Sequence, residues 1–398
     1  MKRQPACPCC DSSDVTIFYE TGNVPVHSVL LLPTREEAIH YPTGTVRLGF
    51  CRHCGFVSNV AFDADLQHEY AERYEETQGF SSTFNAFSRR LAADLVERYQ
   101  LRNKQIIEIG CGKGEFLTLL CQLGDNRGVG FDPGYVRERS LSQADERVVF
   151  VRDFFSEKYA DYQADFICCK MTLEHIARPF ELLQVVKRMT ASTPDTVVFF
   201  QVPDVTRILQ DAGFWDIYYE HCSYFSPGSI ARLFRRAGFE VLNLRVDYGG
   251  QYLMIEAGSA SGQNRTSRAF PELENDLDNL AALVEAFPAA FEHKRAFWKE
   301  TLRHVRNQRR RAVLWGSGSK GVAFLTTLGV RDEIAYTVDI NPHKHGTYMA
   351  GTGQQIVPPV FLKDYRPDLV IIMNPVYREE IQHDLDEQGL APEIIAVS

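Results

Sequence analysis

Apolar and polar positions divide the chain into segments with different periodicities. Residues 67–258 alternate short apolar runs with amphipathic stretches of helical length. Residues 84–99 repeat apolar positions at helical spacing, whereas residues 105–109 form an apolar run typical of a buried strand. Strands separated by helix-length segments predict βαβ units and a mainly parallel sheet. Further strands are predicted at 128–131, 148–151, 165–169, 196–201 and around Val241 and Tyr252.

Three other segments flank this region. Residues 1–66 combine short strand-like runs with cysteines. Residues 259–305 predict a linker, first polar and then helical, and Pro288 should interrupt that helix because it lacks a backbone N–H. Residues 306–398 form a second, shorter α/β pattern, with strands at 312–315, 335–339 and 369–373.

Four cysteines in the first segment have the spacing of a metal site. Cys7 and Cys10 form one Cys-x-x-Cys pair, and Cys51 and Cys54 form another. Two such pairs favour a tetrahedral zinc ion, and four thiolates leave no open position, so the zinc would be structural. Cys9 competes with Cys10 as a ligand in the first pair. The alternative is a set of ordinary buried cysteines.

The composition of the chain narrows the classes of partner that it could bind. The 398 residues carry a net charge of −9, which argues against an extended nucleic-acid surface. No apolar run approaches the ~20 residues that cross a bilayer, and the N-terminus leads into cysteines rather than an apolar signal. We therefore expect a cytoplasmic protein without a membrane partner, whose thiols stay reduced.

A glycine-rich loop follows the strand at 105–109. Gly110, Gly112 and Gly114 let the backbone approach a ligand, although a nucleotide dehydrogenase has a similar loop. Glu108 stands where methyltransferases keep an acid for the methionine amine of S-adenosylmethionine. Asp132 closes the next strand, where an acid accepts both ribose hydroxyl hydrogens.

Asp153 and Phe154 end the third strand of the same region, where an aspartate commonly meets the adenine amine. Together with the loop and its two acids, this arrangement resembles the class I S-adenosylmethionine methyltransferase fold. The alternative is a structural glycine turn in an unrelated α/β domain.

Candidate chemistry lies in residues 215–226, after the fifth strand. Tyr218, Glu220 and His221 place a phenol, a carboxylate and an imidazole within four residues. A histidine can remove a proton, an acid can orient it and a phenol can donate to an oxyanion. By composition alone a polar aromatic loop is the simpler interpretation. His175 follows the fourth strand, and its position alone favours a core histidine that orients a loop.

The order of these features resembles the nucleotide-sugar C-methyltransferases over nearly the whole chain. It comprises the four-cysteine unit, the Glu-x-Gly-x-Gly-x-Gly loop, the Tyr-x-Glu-His-x-x-Tyr-Phe-Ser segment and a second α/β domain. The resemblance implies a zinc-binding domain (1–66), a class I methyltransferase Rossmann-like domain (67–258), a helical linker (259–305) and a C-terminal Rossmann-like domain closing over substrate (306–398). It also implies Tyr74 near the cofactor and a catalytic group of His221, Tyr218, Glu220 and His175.

The resemblance further implies the reaction. A nucleotide-linked keto-deoxysugar would lose a proton beside its ketone to His221, or to Tyr218 acting with it, and the enolate carbon would take the sulfonium methyl in line. Departures point to a sister branch. Residues 249–253 read Gly-Gly-Gln-Tyr-Leu where the family has Gly-Gly-Ser-x-Arg, so the arginine is absent. Asn374 lies in a Met-Asn-Pro stretch where a Trp-Asn pair is usual, and residues 74–78 differ from the serine-rich version expected near the cofactor.

The C-terminal segment keeps three interpretations. Gly316 to Gly321 follows a strand and Asp339 lies about twenty residues on, which resembles a dinucleotide fingerprint for NAD. The family resemblance favours substrate closure instead, with Lys320 at a helix N-terminus suited to a diphosphate. An unliganded scaffold is the third.

Rival functions use other features. An O- or N-methyltransferase of a sugar or other metabolite keeps the same cofactor site. A zinc-ribbon RNA methyltransferase would need a basic surface, and a non-enzymatic scaffold would have lost the cofactor residues.

Overall fold

Three β-sheets organise the computed structural model, which describes residues 6–67, 73–139, 146–259 and 268–398. Each sheet corresponds to one of the strand-bearing segments, although one strand crosses between them. Within the described residues, no helix combines the length and apolar character that a membrane span requires.

The central sheet has seven strands in the order β10-β11-β8-β7-β4-β5-β6. Five of them run parallel, and β11 lies antiparallel to both β8 and β10. Strand β8 is almost wholly buried, as expected for a strand covered on both faces. The expected α/β fold is thus confirmed. The strands are β4 (Gln105–Ile109), β5 (Arg127–Phe131), β6 (Val148–Val151), β7 (Phe166–Lys170), β8 (Val197–Pro203), β10 (Phe239–Asp247) and β11 (Tyr252–Ser259).

Helices connect these strands, and their ends follow local sequence signals. Ser81 caps the first of them by accepting from the Phe84 N–H, and Ser226 forms a capping box with Ser229 ahead of Pro227. The helices are α2 (Ser82–Arg98), α3 (Glu115–Gly124), α4 (Pro179–Met189), α5 (Val205–Gln210) and α6 (Pro227–Arg236).

The N-terminal sheet takes one strand from the middle of the chain. Its order is β1-β2-β3-β9. Strand β9 begins 164 residues after β3 ends at Asn59, and it directly follows the His221 segment. All its pairings are antiparallel. This sheet therefore anchors the candidate catalytic segment. Its elements are β1 (Val15–Pro25), α1 (Arg35–Ile39), β2 (Thr43–Cys51), β3 (Val57–Asn59) and β9 (Ser223–Tyr224).

The C-terminal sheet is wholly parallel, in the order β14-β13-β12-β15-β16. Three of its strands were expected from apolar runs. The two edge strands were not, because each is only three or four residues long and partly exposed. Its elements are β12 (Ala312–Trp315), α9 (Ser319–Leu328), β13 (Tyr336–Val338), β14 (Gln355–Val357), α10 (Leu362–Tyr365), β15 (Leu369–Ile372), α11 (Arg378–Glu387) and β16 (Glu393–Ala396).

A long helix, α8 (Leu277–Asn307), joins the two larger sheets after a short α7 (Pro271–Glu274). The predicted interruption at Pro288 is wrong, because α8 continues through it. Phe287 and Phe291 are buried beside the proline and both contact the ring of Tyr19. Their burial offsets the hydrogen bond that proline removes. Residues 260–267 of the predicted linker lie outside the described residues.

Candidate active site

A cavity of about 1150 Å³ opens at the carboxyl ends of the central parallel strands. Gly110 follows β4, Asp132 follows β5 and Met171 follows β7, and all three line the cavity. Between β4 and β7 the chain reverses the direction in which strands are added, and α/β sheets bind ligands at such a point. Trp315 and Lys320 from the C-terminal segment line the same cavity.

The glycine loop forms a cradle for a ligand. Gly112 has φ 53°, and a Cβ added there would lie 2.9 Å from Oε1 of Glu76. Asp132 accepts hydrogen bonds from the backbone N–H of Gly112 at 2.9 Å and of Gly134 at 2.7 Å. Asp132 therefore holds the loop in place. Gly110 and Gly114 also have positive φ, so all three predicted glycines adopt a conformation that favours glycine.

Glu108 lies at the base of the cavity with its carboxylate buried. Among the described residues, its Oε2 has no hydrogen-bond partner. Burial raises the pKa of Glu108 to about 8, and the charge of Lys170 opposes that rise. A buried carboxylate with one unpartnered oxygen suits a cationic ligand group, such as the amine of S-adenosylmethionine.

Lys113 ties the segment around Tyr74 to the glycine loop. Its Nζ donates to the carbonyls of Tyr74 at 3.0 Å and Gly134 at 2.9 Å, and lies 3.3 Å from a carboxylate oxygen of Glu76. Burial raises the pKa of Glu76 to about 7, although the charge of Lys113 lowers it. The structure thus places Tyr74 in the cavity wall, and it adds Glu76, which the sequence prediction missed.

Asp153 and Phe154 take different positions. Phe154 lines the cavity with 61% of its surface exposed. Asp153 instead accepts hydrogen bonds from the hydroxyl of Tyr159 at 2.5 Å and from Nζ of Lys158 at 2.9 Å. The Tyr159 bond is the main cause that lowers the pKa of Asp153 below its usual value. Asp153 does not reach the cavity wall in this arrangement, so its adenine contact stays a prediction.

Three of the predicted catalytic side chains meet in the cavity. The ring of His221 lies 4.1 Å from that of Tyr218 and 4.9 Å from that of His175, measured between centroids. Burial holds the pKa of His221 well below its usual value and lowers that of His175 to about 4. Burial also raises the pKa of Tyr218. Burial therefore favours the neutral form of both imidazoles, which carries the lone pair of a base, and it opposes the charged form.

Glu220, the fourth predicted member, lies behind this group rather than in the cavity wall. Its Oε2 accepts from the backbone N–H of Ser28 at 2.9 Å and also from the Ser28 hydroxyl. That hydroxyl lies 2.8 Å from the hydroxyl of Ser319. Burial raises the pKa of Glu220, and the Ser28 hydrogen bond lowers it. The N-terminal segment therefore positions a catalytic candidate, which no sequence signal had indicated.

Glu174 is a further buried acid of the cavity wall. Its Oε1 lies 4.0 Å from Nε2 of His221, and within the described chain neither carboxylate oxygen hydrogen bonds to another residue. Burial raises its pKa to about 8. The only sequence signal was its place beside His175.

Polar contacts join the C-terminal segment to the central sheet along the cavity. Lys320 donates to Asp216 at 2.8 Å and to the side-chain oxygen of Gln251 at 3.2 Å. The amides of Gln251 and Asn374 exchange hydrogen bonds of 2.9 and 3.1 Å. Gln251 and Asn374 come from two of the segments that depart from the family pattern, and they thus lie together.

Asp339, the acid of the apparent dinucleotide fingerprint, is held inside its own segment. Its carboxylate accepts from the backbone N–H of Ser317 at 3.1 Å and the Ser317 hydroxyl at 2.5 Å, and it lies 3.5 Å from Nζ of Lys344. These partners tie Asp339 to the loop after β12, much as Asp132 is tied to the loop after β4, and both acids line the cavity.

The four predicted metal ligands form a cluster. The sulfurs of Cys7, Cys10, Cys51 and Cys54 all lie within 4.8 Å of one another, and two of the pairs are 3.6 and 3.5 Å apart. A tetrahedral zinc ion with bonds of about 2.3 Å needs sulfurs about 3.8 Å apart. The cluster therefore fits zinc. Cys10 completes it, whereas Cys9 is buried beside it.

Two family models and a curated protein match the chain. The family model described as "Methyltransferase domain" matches residues 84–244, and the one described as "C-methyltransferase C-terminal domain" matches residues 251–390. The chain is 27% identical over 389 residues to C-methyltransferase NovU of Streptomyces niveus, covering 94% of this chain and 90% of that protein.

Two solved structures align with part of the chain. Magnesium protoporphyrin IX methyltransferase (ChlM) from Synechocystis PCC 6803, with bound SAH, is 15% identical and aligns 45% of this chain with 84% of that one at a TM-score of 0.35. The 1,6-didemethyltoxoflavin-N1-methyltransferase of Burkholderia thailandensis is 17% identical and aligns 43% with 78% at 0.33.

The resemblance to C-methyltransferases seen in the sequence is confirmed by the two family models and the full-length similarity. The chain is an S-adenosylmethionine-dependent methyltransferase that combines a methyltransferase domain with a C-methyltransferase C-terminal domain.

Proposed function

We propose that this S-adenosylmethionine-dependent methyltransferase methylates a carbon beside the ketone of a nucleotide-linked keto-deoxysugar. The observation that carries the proposal is the meeting of Tyr218, His175 and His221 in the same cavity as the glycine loop. Methyl transfer to carbon needs a base beside the methyl donor, and this cavity offers neutral imidazoles there. The similarity to NovU, a C-methyltransferase, supports transfer to carbon rather than to oxygen or nitrogen.

The cofactor site follows from the cradle and its acids. When bound, S-adenosylmethionine supplies an electrophilic methyl group. Glu108 would hold its amine and Asp132 its ribose, and the glycine loop would let the backbone lie close to it. The full proposed set is Glu108, Gly110, Gly112, Gly114, Asp132, Asp153, Phe154 and Tyr74.

The proton beside the ketone would move to His221, or to Tyr218 acting with it. Loss of that proton leaves its electron pair on the substrate as an enolate, whose carbon then takes the methyl. Glu220 precedes His221 in the sequence, so it would orient His221 through the backbone that they share. His175 would support the ring of His221 by direct contact. The protein contributes orientation and a base held in its neutral form.

The nucleotide would extend toward the C-terminal segment. Lys320 lies at the N-terminus of α9, where a diphosphate would find a cation and free N–H groups. We propose domain boundaries near residues 66, 258 and 305. They separate a structural zinc-binding domain, the methyltransferase domain, a helical linker and a domain that closes over the substrate.

The test is hydrogen exchange followed by NMR in heavy water. Candidate nucleotide 4-keto-6-deoxysugars are incubated with the protein and S-adenosylhomocysteine, which fills the cofactor site without donating a methyl. We expect enzyme-dependent exchange at the carbon beside the ketone, and its loss in His221→Ala or Tyr218→Phe. The variant that abolishes exchange while still binding S-adenosylhomocysteine identifies the base.

Absence of exchange with every keto sugar, despite tight cofactor binding, would contradict carbon methylation. That result would favour an O- or N-methyltransferase and direct the substrate search to compounds without a ketone. Ser58→Ala serves as a matched control, because Ser58 is buried in the N-terminal sheet and lies outside the cavity wall.

A further inference from the structure

Three side chains of the cavity wall form a second cluster of metal-ligand type. Glu174, His175 and His221 each offer one ligand atom, and these atoms lie within 4.8 Å of one another. All three residues line the cavity, so a ligand bound among them would face the substrate. Two imidazoles and one carboxylate are a recurrent ligand set for catalytic divalent cations.

Unused polar atoms give an independent reason to look for a ligand here. Both carboxylate oxygens of Glu174 and Nδ1 of His175 are buried without a hydrogen-bond partner among the described residues. Only 1% of the surface of Glu174 is exposed, and no lysine or arginine of the described chain pairs with it. Buried polar atoms normally have partners, and an unpaired buried carboxylate is especially costly.

The backbone of Glu220 interacts with the ring of His175 and opposes the lowering of its pKa by burial. Nδ1 of the same ring has no hydrogen-bond partner among the described residues. A backbone partner on one nitrogen is the usual support for a metal-binding histidine. Burial of both imidazoles favours the neutral form that donates a lone pair to a metal.

We propose that Glu174, His175 and His221 bind a divalent cation whose open coordination positions face the substrate. A cation with bonds of about 2.1 Å needs ligand atoms about 3.0–3.4 Å apart, so rotations that move the side chains by about 1 Å complete the site. The open positions would take a carbonyl or hydroxyl oxygen of the substrate. This role rests on the proposed function, whereas the existence of the site does not.

The site also bears on the choice of base. A His221 nitrogen that binds a cation cannot accept a proton at the same time. Cation binding would therefore leave proton removal to another group of the cavity, with Tyr218 nearest to His221 among the candidates.

The test titrates the full-length protein with Mn²⁺ and follows free aqueous Mn²⁺ by EPR, after brief EDTA dialysis. Thiolates bind Mn²⁺ poorly, so the cysteine cluster should not contribute to the titration. Elemental analysis reports how much zinc that cluster has kept. We expect one Mn²⁺ per chain, and at least a tenfold weaker Kd in Glu174→Gln and His175→Gln. Glu115→Gln is the matched control, since Glu115 also lines the cavity with an unpartnered oxygen but has no imidazole beside it.

Two further measurements keep the result interpretable. S-adenosylhomocysteine binding shows that each variant is folded, and Co²⁺ absorption repeats the titration with an ion that prefers nitrogen ligands more strongly. Absence of saturable binding of both ions, or equal binding by Glu174→Gln, would overturn the proposal and leave Glu174 as a neutral buried carboxyl. Hydrogen exchange in EDTA-treated protein then separates the two proposals: exchange without cation binding supports only the reaction, and binding without exchange supports only the site.

Discussion

Replacing Ser28 by alanine should change the pH dependence of the reaction although Ser28 lies outside the central sheet. Its hydroxyl and its backbone N–H both donate to Oε2 of Glu220, which precedes His221. Ser28→Ala removes the hydroxyl bond and keeps the N–H bond of 2.9 Å. The perturbation therefore weakens the support of one carboxylate without touching the cavity wall.

The magnitude follows from the charge on the acceptor. A hydrogen bond to a charged group contributes about 1.5–3 kcal/mol, and one pKa unit corresponds to about 1.4 kcal/mol. Loss of the hydroxyl should therefore raise the pKa of Glu220 beyond the rise that burial already causes. With the ionised carboxylate as the active form, the acid limb of kcat should move to higher pH by about 1–2 pH units, which is that free energy converted at about 1.4 kcal/mol per unit.

The assay is the pH profile of kcat for methyl transfer, measured by mass spectrometry of the methylated product. Ser319→Ala is the matched control, because Ser319 touches the Ser28 hydroxyl at 2.8 Å but lies one hydrogen bond further from Glu220. It should shift the limb by less than about half a unit. An unmoved acid limb in Ser28→Ala, or a uniform loss of kcat with a lower melting temperature, would refute the reasoning and make Ser28 a structural residue only.

Three further predictions follow from the cofactor site, the cysteine cluster and the C-terminal wall. Because Glu108 has a raised pKa of about 8 and a bound cationic amine favours its ionised form, cofactor affinity measured by calorimetry should rise from pH 6.5 to 8.5. Glu108→Gln should weaken binding about tenfold and flatten that dependence, and a steep dependence kept in the variant would contradict the assignment. Cys51→Ser should lose zinc in elemental analysis and lower the melting temperature by about 5–10 °C, whereas Cys9→Ser should keep its zinc. Lys320→Met should raise KM for a nucleotide-linked substrate about tenfold while the cofactor Kd stays unchanged, and an unchanged KM would remove Lys320 from the substrate site.

Local sequence patterns predicted most of the fold. Apolar runs located the five parallel strands of the central sheet to within two residues, because buried parallel strands are rich in continuous apolar sequence. Pro288 shows where local preference failed. A proline inside a helix costs about 3 kcal/mol, yet burial of each neighbouring phenylalanine contributes about 1.5–3 kcal/mol. Packing of Phe287 and Phe291 against Tyr19 therefore outweighs the local preference.

What the sequence by itself determined are features whose chemistry is contained in a few neighbouring residues. Each Cys-x-x-Cys pair and the glycine loop with Glu108 belong to this class, because local spacing alone brings the groups of each one together, whereas the fold brings the two cysteine pairs to one another. The tertiary structure decided contacts between distant residues, such as Ser28 with Glu220, which are 192 residues apart, and Lys320 with Asp216. It also decided which polar atoms are buried without partners, as in Glu174. Burial and long-range pairing depend on how the three sheets pack, and no local spacing encodes that packing.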